Sequence, residues 1–222
     1  MKMHLTRTGV FLLAIQLLLP MTLLAAGGSS APDEDPQQEA AAAYNRGLRH
    51  RDKAWEFEKK LATKSEEAER AKLEAKIGKE YGKAIDAFRA ATEANPKMHQ
   101  AYSSLGYALR KTGDYTASLA AYNQALELEP SYSEAIEYRG EAFLGLNRIE
   151  DAKEAYLELF RSDRARADEL MEAMKNWVGE RTAEPGGVNP AELQKFSAWV
   201  EERAAIAKQT ASLVEASDRT WD

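Results

Sequence analysis

Cysteine is absent from the 222 residues. That excludes disulfides, thiol nucleophiles, thiolate metal sites and a lipid-modified cysteine together. Glycine and proline are scarce, 13 and 7 residues, while Ala, Glu, Lys, Leu and Arg dominate, so the composition is that of an all-α protein. Only three histidines are present, His4, His50 and His99. No HExxH, DxDxDG, GxSxG or phosphate-cradling glycine loop accompanies them, so the sequence offers no catalytic residue, no metal-ligand set and no cofactor-binding motif. His50, between Arg49 and Arg51, reads as a surface residue, and His99 as a residue closing a turn. Carboxylates are plentiful but spread as on solvated helix faces. The formal net charge of −6 argues against a nucleic-acid partner.

Long apolar runs are also missing, with one exception. Val10 to Ala26 is almost wholly apolar and follows a start carrying Lys2 and Arg7 but no acid. This is the layout of a secretory signal peptide, residues 1–26, with cleavage after Ala25, Ala26 or Gly27. Seventeen residues interrupted by Gln16 and Pro20 are short for a membrane span; the alternative is an uncleaved anchor over residues 10–26, the one route to membrane contact. Removal of Lys2 and Arg7 would take the formal charge from −6 to −8. Residues 27–39 follow as a flexible spacer, polar and proline-bearing from Ser29 to Gln38.

The organising stretch runs from His99 to Pro130. Gly106 is a small residue inside one apolar helix, where a neighbour must approach closely. Gly113-Asp114 ends that helix and begins a second. Tyr115, Leu119, Tyr122 and Leu126 then recur at helical spacing, and Pro130 closes the pair. Moving on by 34 residues places Gly140 on Gly106, Asn147 on Gly113, Ile149 on Tyr115 and Tyr156 on Tyr122. Moving back places Tyr81 on Tyr115, Phe88 on Tyr122, Ala91 on Ala125 and Pro96 on Pro130. The pattern resembles the tetratricopeptide repeat (TPR), over about Ala40 to Arg166. The resemblance implies a short TPR-like α-solenoid with repeats at residues 99–132 and 133–166. A first hairpin over residues 40–98 and capping helices over residues 167–222 complete it.

The first hairpin is unusual. Gly47 takes the small position, but the next aromatic mark is Tyr81, so about 25 residues are inserted, roughly Arg51 to Lys76. An insertion that keeps both halves in register predicts two helices lengthened by roughly three turns each. Their turn falls near Ala62 to Glu67, with Thr63 or Ser65 capping the second helix. A competing layout has one helix to Ile77 and a turn at Gly78. Trp55, Phe57 and Leu61 either zip the hairpin against Ala68, Leu73 and Ile77, or Trp55 and Phe57 stand out as partner-binding anchors.

Past the repeats, Ala167, Leu170, Met171, Met174, Trp177 and Val178 mark an amphipathic helix that caps the array. Thr182 to Pro190 is a loop, and Asn189-Pro190 opens a last helix to about Ser217. Leu193, Phe196, Val200, Ala204, Ala207 and Ala211 form one face of it. A second stripe, Trp199, Ile206 and Leu213, is either core or a dimer contact.

The resemblance further implies that first helices line a groove for a peptide or protein. The groove positions that carry over are Ala41, Tyr44, Leu48 and Arg51, then Gln100, Ser103, Tyr107 and Arg110, then Glu134, Glu137, Glu141 and Leu144. Three glutamates on one face suit a basic or polar segment; alternatively they are only solvated surface. Ser104, Glu134 and Tyr138 stand where the family's carboxylate-gripping groove needs basic or amide groups, which argues against that ligand. The expected function is a non-catalytic, exported, periplasmic adaptor of a bacterial envelope, with no small-molecule substrate. The alternative is a structural, self-associating protein using the long hairpin and the last helix.

Overall fold

The computed structural model describes residues 35–218. Among them are eight helices and no strand: α1 Pro36–Leu61, α2 Glu67–Ala94, α3 His99–Lys111, α4 Tyr115–Leu128, α5 Ser133–Gly145, α6 Ile149–Ser162, α7 Arg164–Ala183 and α8 Pro190–Asp218. The expected signal segment, residues 1–26, lies outside the described residues. The expected spacer, residues 27–39, is corrected at its end. Pro36 to Glu39 already form the first turn of α1, because Asp35 accepts a hydrogen bond from the Gln37 amide at 3.0 Å and Pro36 is preset for a first helical residue.

The repeat spacing is kept in the helix boundaries. α3 and α5 begin at His99 and Ser133, and α4 and α6 at Tyr115 and Ile149, each pair 34 residues apart. The same period fixes the turns. Gly113 (φ 85°) and Asn147 (φ 58°) both take left-handed backbone. The next amides, of Asp114 and Arg148, reach back to the carbonyls of Leu109 and Phe143 at 3.0 and 2.8 Å. Asparagine stands in for glycine because its short polar side chain tolerates this region best among non-glycine residues. Asp114 then caps α4 through the Ala117 amide.

Each helix pair packs on the next, α2 on α3, α4 on α5 and α6 on α7. First helices also meet in series, α1 with α3, α3 with α5 and α5 with α7. This is the stacking of a short α-solenoid. Small residues admit the contacts: a Cβ on Gly106 would lie 2.6 Å from the Tyr122 ring, and one on Gly140 would lie 2.7 Å from Leu170. The rings of Tyr81, Phe88, Tyr122 and Tyr156 are buried behind them.

α1 and α2, at 26 and 28 residues, are about twice the 13 and 14 of α3 and α4. Their turn spans residues 62–66, and Gly78 lies inside α2, so the unbroken-helix layout is not adopted. Neither Thr63 nor Ser65 caps α2. Thr63 Oγ1 donates back to the Lys60 carbonyl, and the Arg70 guanidinium closes the tip on the carbonyls of Leu61 and Lys64 at 3.2 and 2.9 Å. His50 is not a plain surface residue. Its Nδ1 lies 2.6 Å from the Glu80 carboxylate, which Lys83 also holds at 2.6 Å, and the two partners, Lys83 foremost, keep that carboxyl below the usual range. His99 stands edge-on to Tyr132.

α7 buries Ala167, Leu170, Met171, Met174 and Trp177, and α8 lays Phe196 and Val200 into the same core. Asn189 opens α8 by accepting from the Ala191 amide at 2.8 Å. Trp199 belongs to this core as well, edge-on to Tyr156 at 5.6 Å and stacked on Phe196 at 6.0 Å. Trp199 and Ile206 both stay partly exposed, and the side chains of Ala211 and Leu213 lie outside those described. No helix among the described residues is long and apolar enough to cross a membrane.

Candidate functional site: the face of the first helices

The serial contact of α1, α3, α5 and α7 brings one face of each helix into a common surface. Its floor is aromatic. Trp55 from α1 stands edge-on to Tyr107 from α3 at 5.8 Å, and Tyr107 leans on Tyr138 from α5 at 5.0 Å. The Trp55 indole N–H donates to the Tyr107 hydroxyl at 2.7 Å. A polar tip on an apolar body suits a surface that must be both packed and wet.

Arginines lie over these rings. Arg51 covers Trp55 at 4.2 Å, Arg110 sits 5.2 and 5.3 Å from the Tyr107 and Tyr138 centroids, and Arg166 lies 5.9 Å from Tyr138. Carboxylates pair with them across helices. Arg110 on α3 bonds Glu141 on α5. Arg166 at the start of α7 reaches Glu137 at 2.7 Å, Glu169 at 2.8 Å and Glu134 at 3.6 Å. Each pair ties one repeat to the next.

Glu137 is only 3% exposed, and burial together with the charge of Glu141 pushes its carboxyl up to about 8, against the downward pull of Arg166. The balance falls on the raised side because one guanidinium, shared among three carboxylates, does not replace the lost water. Where the ends of α3 and α5 meet α7, a cavity of about 320 Å³ opens, walled by Arg110, Tyr115, Glu141, Trp177, Glu180 and Arg181. No group of three or more His, Cys, Asp or Glu side chains suited to a metal ion occurs among the described residues.

The expected groove residues divide into three sets. Tyr44, Leu48, Tyr107, Arg110, Glu134 and Glu141 are half-buried on this face, and Gln100 is exposed. Ser103 and Glu137 are buried instead, at 1% and 3% exposure, and serve as packing and as an internal hydrogen-bond acceptor for Arg166. The three glutamates are thus neither an unbalanced acidic patch nor simple solvated surface, since Arg110 and Arg166 are matched to them. Trp55 is no free anchor of the hairpin, being locked into the floor by Tyr107. Phe57 is half-buried, with Lys60 and Lys76 ammonium groups 5.4 and 5.6 Å from its centroid.

Tyr138 enters the repeat-based reading only as a departure from the family's carboxylate grip, and Arg166 and the α7 wall escape it. Arg166 is the last residue of the last 34-residue period, and most of α7 lies beyond it. A basic residue closing the last repeat, facing a glutamate at i, i+3 spacing, is the signal that was available.

A family model for the tetratricopeptide repeat matches residues 68–133. The chain is 32% identical over 145 residues to the protein SGT1 homolog of Oryza sativa subsp. japonica, covering 64% of this chain and 36% of that protein. It is 32% identical over 92 residues to the small glutamine-rich tetratricopeptide repeat-containing protein 2 of Mycosarcoma maydis, covering 40% and 26%. The heat shock protein sti1 homolog of Schizosaccharomyces pombe is 30% identical over 142 residues, covering 61% and 24%. The chain therefore spans between 24% and 36% of the length of these three relatives. Among solved structures, the first TPR of Spaghetti (RPAP3) bound to the HSP90 peptide SRMEEVD is similar, at 19% identity and a TM-score of 0.42, covering 60% of this chain and 96% of that one.

Proposed function

We propose that this repeat-bearing chain is a non-catalytic adaptor that holds a peptide or protein segment against the face of α1, α3, α5 and α7. The observation that carries the reading is the floor of Trp55, Tyr107 and Tyr138, stiffened by inter-helix arginine–carboxylate pairs. A floor preset by such pairs loses little ordering entropy on binding, which favours affinity. The charges of the floor are matched in pairs, but Glu169 and Glu180 stand exposed at the rim of α7. The segment is accordingly basic or polar. Ser104 is buried, Glu134 faces Arg166 and Tyr138 leans on Tyr107, so these three positions present no free basic or amide group for a terminal carboxylate, and the arginines of the face are paired with carboxylates or laid on rings. The N-terminal pattern of Lys2, Arg7 and the apolar run to Ala26 supports placement in a bacterial envelope, with cleavage or an anchor as the two outcomes. Full-length, uncleaved chain in the cytoplasmic fraction would contradict export.

The binding test is an array of dodecapeptides of Lys-rich, neutral and Glu-rich composition, probed with the full chain and with E169K/E180K. Both side chains are exposed, and because Glu169 also meets Arg166 at 2.8 Å, thermal unfolding of the variant is measured beside the array to separate lost folding from lost binding. The wild type is expected to retain Lys-rich peptides, and the variant to lose them by about tenfold at low salt. Retention of Lys-rich peptides undiminished by the charge reversal, or preference for Glu-rich ones, would sink the acidic-rim reading.

A further inference from the structure

A cavity apart from the floor of the first-helix face lies at the other side of the capping pair. It holds about 490 Å³ between the end of α7, the loop to α8 and the first turns of α8. That volume falls in the range of small-molecule sites. Its apolar lining is Pro185, Val188, Pro190 and Leu193, with Val188 7% exposed. The wall is preformed. Gly186 and Gly187 take left-handed backbone at φ 53° and 84°, the Asn147 side chain donates to the Gly186 carbonyl at 3.2 Å, and the Val188 amide returns to the Pro185 carbonyl at 3.0 Å.

One cation faces this space. Arg181 lines the cavity with its guanidinium 5.7 Å from the Trp177 ring. It makes no salt bridge and no hydrogen bond among the described residues, and its Nε is buried without a partner. A half-buried guanidinium with no carboxylate partner offers a ligand carboxylate a charge-assisted hydrogen bond. Ser197 and Gln194 of α8 add polar groups to the wall, and Glu201 stands exposed one to two turns further along α8.

We propose that this cavity binds a small amphipathic monocarboxylate. The carboxylate pairs with Arg181, and an apolar body of a few carbons covers Val188 and Leu193. Glu201 disfavours a second negative charge, which selects a monocarboxylate over a dicarboxylate. Arg181 also borders the smaller cavity of the first-helix face, but the apolar lining of Val188 and Leu193 belongs to this cavity alone, so octanoate and peptide binding are read apart through Ala198→Trp.

The test titrates the full chain with octanoate, octanol, octylamine and octanedioate, read by calorimetry and by saturation-transfer NMR. Octanoate is expected to bind in the submillimolar range, roughly the strength its ten heavy atoms allow, and at least about tenfold more tightly than the other three. Arg181→Gln should remove that preference. Ala198→Trp, on an exposed position of α8 that lines the cavity, should abolish binding while thermal unfolding stays unchanged. Glu201→Gln should narrow the gap between octanoate and octanedioate. Octanoate binding no better than octanol, binding undiminished in both Arg181→Gln and Ala198→Trp, or no binding at several millimolar would each overturn the proposal.

Discussion

At Gly106 a single hydrogen atom in place of a side chain decides whether two helices can close. A Cβ there would lie 2.6 Å from a ring carbon of Tyr122, which is fully buried and has no room to retreat. Gly106→Ala should therefore destabilise by about 1–3 kcal/mol despite the helix propensity that alanine gains. Gly78, in α2, has no atom within 4 Å of its would-be Cβ. Gly78→Ala should stabilise by about 0.5–1 kcal/mol. Urea unfolding of the two variants checks both, and a shift of the same sign in both would contradict the packing account. Gly106 was legible in the sequence because period and size point the same way, whereas Gly78 entered the reading only as a turn that is not formed. Gly140 was legible only in part. Its nearest neighbour is Leu170 of α7 rather than the repeat-matched Tyr156, because most of α7 lies past the last period and supplies its own contact.

Between elements, the joint of α5 and α7 is electrostatic as well as apolar. Glu137 on α5 is held by Arg166 on α7, yet burial and Glu141 raise its carboxyl to about 8, above its ordinary 4.5. In the window between those two values the folded chain binds more protons than the unfolded one at this position. This group's contribution to stability is thus fully present below about pH 4.5 and is lost as pH rises through about 8. Glu137→Gln, which keeps an acceptor for Arg166 and never ionises, should remove that slope. Relative to the variant, the wild type should lose up to about 3–4 kcal/mol between pH 5 and 8. Parallel unfolding curves over that range, with no pH-dependent difference, would contradict the raised carboxyl. Of the elements themselves, the doubled hairpin was legible from the count of residues between Gly47 and Tyr81, which must be absorbed on both sides of one turn. Its tip chemistry was not, since Arg70 rather than Thr63 or Ser65 satisfies the loose carbonyls. A long cation reaching two turns back leaves no local sequence signature.

For the molecule as a whole, the 34-residue period foretold the order of stacking, and with it which helices share a face. It did not foretell the charge balance of that face. The glutamates of α5 were visible as a run, but the arginines that match them come from α3 and from the first turn of α7, and only the stacking brings these together. The long hairpin joins the same surface through Trp55, which a reading of α1 and α2 alone assigns to the hairpin's own seam. The central claim is that binding occurs on this shared face. Hydrogen exchange of the full chain, with and without a retained Lys-rich dodecapeptide, tests it most directly. The account predicts slowed exchange in α3, α5 and α7, with residues 56–76 of the hairpin unchanged. Protection confined to the hairpin tip or to α8, with none on α3 and α5, would contradict it.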